Sequence, residues 1–120
     1  AAIACLDLFE STHLLEHIAQ SSTMLASKLQ VLRPCRHVLD IRQCGLMVGI
    51  ELGNNRDQAQ PFDFAKQTGA AICTAMRDKG LIVRPLGDVI VLMPIPAMPH
   101  DTLGQMLDIV TETILTWPFD

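Results

Sequence analysis

Residues 80–94 read GLIVRPLGDVIVLMP, in which two apolar runs flank a short polar segment. The runs at 81–83 and 89–93 are rich in β-branched residues and carry no charge, a composition that favours buried strands. Gly87-Asp88 lies between them and is a typical turn pair, so we expect the two strands to form a hairpin. Gly80 in front of them is typical of the residue that follows the end of a helix. This segment therefore predicts a helix end, a strand, a turn and a second strand.

Arg84 is a charge that this apolar pattern does not explain, because it lies between a predicted buried strand and a turn. A charge at such a place costs free energy unless a partner or water meets it. An arginine at a strand end is most often a solvated surface charge or half of a structural ion pair, and such pairs contribute little to stability. The alternative is a ligand site, since a guanidinium next to the rigid Pro85 is well placed to fork onto a carboxylate. The residues alone leave both interpretations open.

The rest of the chain shows helical and strand periodicities in an order that predicts an α+β fold. Apolar residues recur every three or four positions in four segments, at 2–10, 14–32, 64–79 and 99–117. Alternation or short apolar runs mark four strands, at 38–42, 46–52, 81–84 and 89–93. Gly49 interrupts the second strand, and a β-bulge is the favoured explanation. We expect residues 1–120 to form a two-layer small domain, an antiparallel sheet with helices on one face.

Composition and charge argue against two classes of partner. The formal net charge is −4 and the nine basic residues form no run, so we expect no nucleic acid. No apolar run approaches the roughly 20 residues of a membrane span, so we expect no membrane partner and a cytoplasmic location. Hydrophobic residues make up 49% of the chain and charged residues only 18%, which predicts exposed apolar surface. Because the sequence also opens within a predicted helix, we expect it to be part of a longer protein.

The cysteine and histidine spacings do not predict a metal or redox site. Four cysteines lack any paired spacing and are typical of reduced thiols: Cys5, Cys35, Cys44 and Cys73. His13 and His17 lie one turn apart on a predicted helix, but no third ligand is close to them in the sequence. A solvated helix face is the default interpretation of this pair, and we expect no bound metal.

The segment GLIVRPLGDVIVLMP resembles the C-terminal domain of the adenosylmethionine-8-amino-7-oxononanoate aminotransferases. These are the biotin-pathway members of the class III, pyridoxal-phosphate-dependent aminotransferase family. Residues 38–52, VLDIRQCGLMVGIEL, resemble the strand pair ahead of that hairpin, and residues 1–10, AAIACLDLFE, resemble the helix that leaves the large domain. The chain departs from the family at Ile95, where a second proline is common. The resemblance implies the small C-terminal domain of a fold-type I pyridoxal-phosphate-dependent transferase.

The resemblance also implies the activity of the longer enzyme to which such a domain belongs. That enzyme transfers an amino group to 8-amino-7-oxononanoate and gives 7,8-diaminononanoate, with S-adenosylmethionine as donor, pyridoxal phosphate as cofactor and a homodimer as the assembly. In the family, the arginine of the RPLG string pairs with the carboxylate of the acceptor, a role that the resemblance carries over to Arg84.

The same resemblance implies that this chain has no activity by itself. The family's Schiff-base lysine, cofactor aspartate and phosphate ligands lie upstream of the matching region, so we expect no catalytic residue and no cofactor-binding residue in this chain. Lys28, Lys66 and Lys79 all fall on predicted helix faces rather than in a dry pocket that would lower a lysine pKa. We therefore expect the isolated chain not to bind pyridoxal phosphate.

Two other classes of function remain open at this point. The first is another class III aminotransferase that acts on a different ω-amino acid or ketone. The second is a free-standing α+β module that binds a ligand or regulates another protein without chemistry of its own. A free module is expected to be monodisperse alone, whereas a domain taken from a larger protein is expected to expose an apolar face.

Overall fold

A computed structural model describes residues 1–119, and its elements follow one another in the predicted order α-α-β-β-α-β-β-α. The helices within these residues are α1 (Ala2–Ser11), α2 (Leu14–Lys28), α3 (Thr68–Asp78) and α4 (His100–Thr116). The strands are β1 (Val38–Cys44), β2 (Met47–Leu52), β3 (Arg84–Leu86) and β4 (Val89–Leu92). Three short 3-10 turns lie between them, at Leu29–Leu32, Arg56–Gln58 and Phe64–Lys66. The predicted α+β class is therefore confirmed.

The four strands form one antiparallel sheet in the order β1-β2-β4-β3. Each hairpin closes on a two-residue turn, because Cys44 pairs with Met47 and Leu86 pairs with Val89. Gly87 occupies the first position of the second turn with a φ of +61°, a conformation that L side chains rarely adopt. Strands β2 and β4 pair with each other and join the two hairpins, so β1 and β3 are the edge strands.

One face of this sheet carries the hydrophobic core. Alternate residues of the two central strands are at most 2% exposed on this face: Val48, Ile50, Leu52, Ile90 and Leu92. Helices α2, α3 and α4 cover them with apolar stripes that include Leu25, Ile72, Met76, Leu103, Leu107, Val110 and Ile114. Full burial of one such side chain contributes about 1.5–3 kcal/mol. Burial of these stripes therefore holds three helices on one face of the sheet, as the sequence predicted.

Helix α1 forms where it was predicted but buries none of its residues. Its apolar residues Ile3, Leu6 and Phe9 are 76%, 66% and 44% exposed. Helix α1 therefore carries part of the exposed apolar surface that the composition predicted, and other exposed apolar residues, such as Ile82 and Met93, lie elsewhere in the chain.

The second hairpin differs from its prediction because its first strand is Arg84–Leu86 and not residues 81–84. The turn at Gly87 fixes the register, so Leu86 lies opposite Val89 and Arg84 lies opposite Val91. Residue Leu81 is unavailable to the ladder, because its N–H donates to the Met76 carbonyl at 3.0 Å in a Schellman-type end of α3. The predicted burial of this run is wrong for Ile82, which is 78% exposed, whereas Leu81 and Val83 are half-buried against the core.

The bulge predicted at Gly49 is not found at that residue. Gly49 pairs regularly with Arg42 on one side and with Val91 on the other. The register of β1 against β2 shifts instead between Val38 and Asp40. A Cβ on Gly49 would lie 3.4 Å from Val89 Cγ1, which is contact rather than a clash, so the glycine needs no bulge.

The helix predicted over 64–79 is interrupted by Gln67, which has a φ of +47°. Asp63 caps a 3-10 turn in front of this break, with its Oδ1 accepting the Ala65 N–H at 3.0 Å. Phe64 was predicted to point inward, but it is 82% exposed because the break turns this segment away from the core. Helix α3 therefore begins only at Thr68.

We predict that Ile50→Ala lowers the free energy of unfolding by about 2–5 kcal/mol, because it empties a fully buried site on the central strand β2. Phe64→Ala is the control and should change stability by less than about 0.5 kcal/mol, since Phe64 is exposed. Urea denaturation of the chain followed by circular dichroism measures both values. Equal losses in the two variants would contradict the assignment of the core face.

Candidate functional site

The face of the sheet opposite the core is open and carries a row of four residues, one from each strand. Arg42 lies opposite Gly49, Gly49 opposite Val91, and Val91 opposite Arg84. Paired residues of neighbouring strands point to the same face, and successive residues of one strand point to opposite faces. Since Ile90 and its neighbours on β2 are buried in the core, this open-face row points away from the core.

A shallow cavity of ≈ 330 Å³ lies over the middle of the open-face row. Its walls are largely apolar and include Met47, Leu86 and Val91, with Arg42 at one side. Gly49 leaves room in the centre because it has no side chain. Arg84 stands in the same row one strand beyond Val91, two residues before Leu86. The open face thus combines an apolar trough with an arginine on each edge strand.

The two arginines of the row differ in their partners. Arg42 forms ion pairs with Asp40, at 3.1 Å between Nη1 and Oδ2, and with Glu51 at closer range. The hydrogen bond to Glu51 and then its charge raise the pKa of Arg42 above the usual value, and Asp40 adds to the effect. Arg84 is exposed and forms no ion pair within residues 1–119. Its guanidinium is therefore available to an anion from outside this part of the chain.

The three lysines lie on helices and turns, away from any enclosed site. Lys28 contacts Asp108 with 2.5 Å between Nζ and Oδ1, and Lys79 contacts Glu112 with 3.3 Å between Nζ and Oε2. Lys66 is exposed at the edge of a separate cavity of ≈ 450 Å³. A lysine that holds an aldehyde cofactor needs a dry site that favours its neutral form, so the described residues do not fit a pyridoxal phosphate site.

The histidine pair takes a form that the sequence did not predict. His17 stacks on His100 rather than acting with His13, with ring centroids 4.3 Å apart and the planes inclined by 7°. His17 Nε2 donates to the Met98 carbonyl at 2.8 Å, and His100 Nε2 lies 3.1 Å from Ser21 Oγ. The solvated-face interpretation is therefore wrong for His17. Sequence spacing did not reveal the contact because 83 positions separate the two rings.

Two classes of site are not found among residues 1–119. No group of three or more His, Cys, Asp or Glu side chains could hold a metal ion there. Within the same residues, no helix combines the length and apolarity needed to cross a membrane.

Burial raises the pKa of the Cys73 thiol, with the charge of Arg77 opposing the shift, so this cysteine is a poor nucleophile.

The chain is similar in sequence to known aminotransferases. Residues 1–114 match the family model described as aminotransferase class-III. The chain is 40% identical over 115 residues to an adenosylmethionine-8-amino-7-oxononanoate aminotransferase from Anoxybacillus flavithermus, covering 96% of this chain and 25% of that protein. It is 37% identical over 115 residues to a protein of the same name from Geobacter sulfurreducens, with the same two coverages. The chain therefore spans about a quarter of the length of these relatives.

The fold also matches the solved structure of a protein with the same name as these relatives. The crystal structure of adenosylmethionine-8-amino-7-oxononanoate aminotransferase from Methanocaldococcus jannaschii superimposes with a TM-score of 0.89 and 29% sequence identity. The match covers 98% of this chain and 27% of that one.

We predict that Arg84→Ala changes the free energy of unfolding by less than about 0.5 kcal/mol, because the side chain is exposed and has no partner within residues 1–119. Ile90→Ala removes a fully buried side chain from the neighbouring strand and should cost about 2–5 kcal/mol. Chemical denaturation of both variants tests the difference. A loss above about 1 kcal/mol for Arg84→Ala would restore the structural ion-pair interpretation.

Proposed function

This chain belongs to the class III aminotransferase family, and on that premise we propose that it is the C-terminal small domain of an adenosylmethionine-8-amino-7-oxononanoate aminotransferase. The whole enzyme transfers an amino group from S-adenosylmethionine to the keto-acid 8-amino-7-oxononanoate and forms 7,8-diaminononanoate. Identities of 40% and 37% to relatives of this name, each over 96% of the chain, support the choice within the family. The family's typical architecture favours a homodimer, and a cytoplasmic location is part of the same proposal.

The family depends on pyridoxal phosphate, which when bound supplies the electron sink for amino transfer. The residues described here do not fit a site for this group, since Lys28 and Lys79 are paired with carboxylates and Lys66 is exposed. We therefore assign cofactor binding to the part of the enzyme outside this chain, and recognition of the acceptor to this chain.

Arg84 is the residue proposed to bind the acceptor's carboxylate. The observation that supports this role is an exposed guanidinium without an ion-pair partner in residues 1–119, in one row with an apolar trough. 8-Amino-7-oxononanoate has a carboxylate at one end, its reacting carbonyl near the other and methylenes between. A planar guanidinium suits the carboxylate through two parallel hydrogen bonds, and Leu86 and Val91 offer apolar contact for methylenes.

This arrangement explains how a domain without catalytic residues contributes to the reaction. A clamp on the carboxylate fixes how far the methylene chain extends, and so sets where the reacting carbon lies. Such positioning lowers the barrier because the two reacting groups no longer have to find each other by diffusion. Arg84 thus holds the carboxylate end of the acceptor, while the carbonyl end lies in the cofactor-binding part of the enzyme.

The test of this function is Arg84→Ala in the full-length enzyme. We predict a loss of about 10- to 150-fold in kcat/KM for the acceptor, because a charge-assisted contact contributes roughly 1.5–3 kcal/mol. The donor half-reaction should remain nearly intact. Arg84→Lys should recover little, since an ammonium on a flexible stem does not reproduce the planar fork. Single-turnover kinetics of each half-reaction measures these effects.

Arg77→Ala is the matched control, since Arg77 is an exposed arginine on α3 away from the open-face row. It should leave both half-reactions unchanged. If the donor and acceptor steps of Arg84→Ala fall together, the clamp is wrong. If Arg84→Ala is selective but a different ω-amino acid or ketone is the better acceptor, another class III aminotransferase activity replaces the one proposed.

A second prediction concerns the cofactor. The isolated chain should form no stoichiometric adduct with pyridoxal phosphate after borohydride reduction, because Lys28 and Lys79 are held by carboxylates and Lys66 is solvated. Mass spectrometry of the reduced sample measures adducts, and the full-length enzyme serves as the positive control with one expected per chain. A single modified lysine in the isolated chain at full occupancy would show that it contains a cofactor site.

A further inference from the structure

A hydrogen bond attaches the turn of the second hairpin to the start of α3. The Asp88 Oδ1 accepts the Gly69 N–H at 2.8 Å, although 19 positions separate the two residues. Helix α3 needs such an acceptor, because its N-cap Gln67 has a left-handed backbone and makes no side-chain cap. A carboxylate at this end also interacts favourably with the helix dipole. Asp88 thus caps a helix that belongs to a different part of the sequence.

The contact between turn and helix is as close as the backbone allows. A Cβ placed on Gly69 would lie 2.6 Å from the Gly87 carbonyl oxygen and 2.9 Å from Asp88 Cα. Only a glycine permits this approach without displacing the turn. The Asp88 carbonyl also accepts the Leu52 N–H at 3.0 Å, which ties the same residue to the end of β2. Asp88 therefore connects the turn to two elements outside its own hairpin.

Strand β3 pairs with β4 along one side only and also lies against α3. It is an edge strand of three residues, and Pro85 at its centre has no N–H to donate. Its register pairs are Arg84 with Val91, Pro85 with Ile90 and Leu86 with Val89. The position of Arg84 consequently depends on the turn three and four residues further along.

We infer that Asp88 is a positioning residue for the acceptor step, acting through Arg84. This inference rests on the proposed role of Arg84 as the carboxylate clamp. Asp88 does not touch the acceptor in this account. It holds the hairpin at the distance from α3 and β2 at which the Arg84 guanidinium meets the carboxylate, and a shift of about 1 Å in such a group is enough to reduce the rate strongly.

The experiment uses the full-length enzyme with Asp88→Ala, Asp88→Asn and Arg84→Ala. Asp88→Ala should lower kcat/KM for the acceptor by about tenfold, with kcat reduced because the reacting carbon is misplaced, and leave the donor half-reaction unchanged. Asp88→Asn keeps an oxygen that accepts the Gly69 N–H, so it should recover most of the loss. In the Arg84→Ala background, Asp88→Ala should cause no further loss in the acceptor step, because the residue acts through a group already removed.

Asp63→Ala separates positioning from stability. Asp63 also caps a helical turn through its Oδ1, with the Ala65 N–H at 3.0 Å, but its turn lies outside the hairpin. Both aspartate variants should lower the melting temperature, whereas only Asp88→Ala should impair the acceptor step. The inference is overturned if Asp88→Ala leaves the acceptor step unchanged, if both half-reactions fall together, or if the losses at Asp88 and Arg84 multiply.

The same measurements distinguish this inference from the proposed function. If Arg84→Ala itself shows no selective loss, the clamp is wrong and the inference falls with it. If Arg84→Ala is selective and Asp88→Ala behaves like Asp63→Ala, only the positioning role is wrong. If Asp88→Ala fails to fold, Asp88→Glu takes its place under the same criteria. Glutamate keeps the carboxylate charge, and its additional methylene moves the turn away from α3.

Discussion

The two-residue turn at Gly87-Asp88 fixes the register on which the other features of this domain depend. It sets Leu86 opposite Val89, and from there Arg84 opposite Val91. A slip of one residue would exchange the two faces of β3, so Pro85 would point to the open side and the Arg84 guanidinium would point to the core. Burial of an unpaired guanidinium costs several kcal/mol. The charge of Arg84 and the turn chemistry therefore select the same register.

The same turn joins the sheet to the helical layer. Burial of apolar stripes holds α3 on the core face, but such burial is not directional and does not fix the helix to a fraction of an ångström. The contact of Gly69 with Gly87 and Asp88 supplies the missing direction, because it combines a hydrogen bond with an approach that no side chain allows. The domain thus has an apolar core for stability and, at the second hairpin, a polar junction that attaches the turn after edge strand β3 to α3.

Periodicity predicted the order of elements, because each helix or strand with one buried face has an apolar repeat. It failed where a local hydrogen bond overrode the apolar pattern. The run at 81–83 reads as a buried strand, yet the Schellman-type end of α3 takes the Leu81 N–H and leaves Ile82 exposed. The break at Gln67 and the register shift between Val38 and Asp40 are also local, and neither position is itself a glycine or proline.

The candidate site was predictable only in part for a related reason. Resemblance to a family singled out Arg84, but the residues alone could not separate a ligand site from an ion pair. The answer depends on which carboxylates lie close to Arg84 in the fold. Asp40 and Glu51 form their ion pairs with Arg42 and not with Arg84. The link between Asp88 and Gly69 and the stack of His17 on His100 join distant positions, so no spacing in the sequence indicates them.

Whether Arg84 recognises the acceptor's carboxylate is best tested by removing that carboxylate from the substrate as well as the arginine from the protein. The full-length enzyme and its Arg84→Ala variant are each assayed with the keto-acid and with its neutral primary amide. The wild type should prefer the acid by about tenfold or more in kcat/KM, and the variant should show no preference, because the coupling between the two groups is then lost. A variant that still prefers the acid by the wild-type factor would show that another group binds the carboxylate.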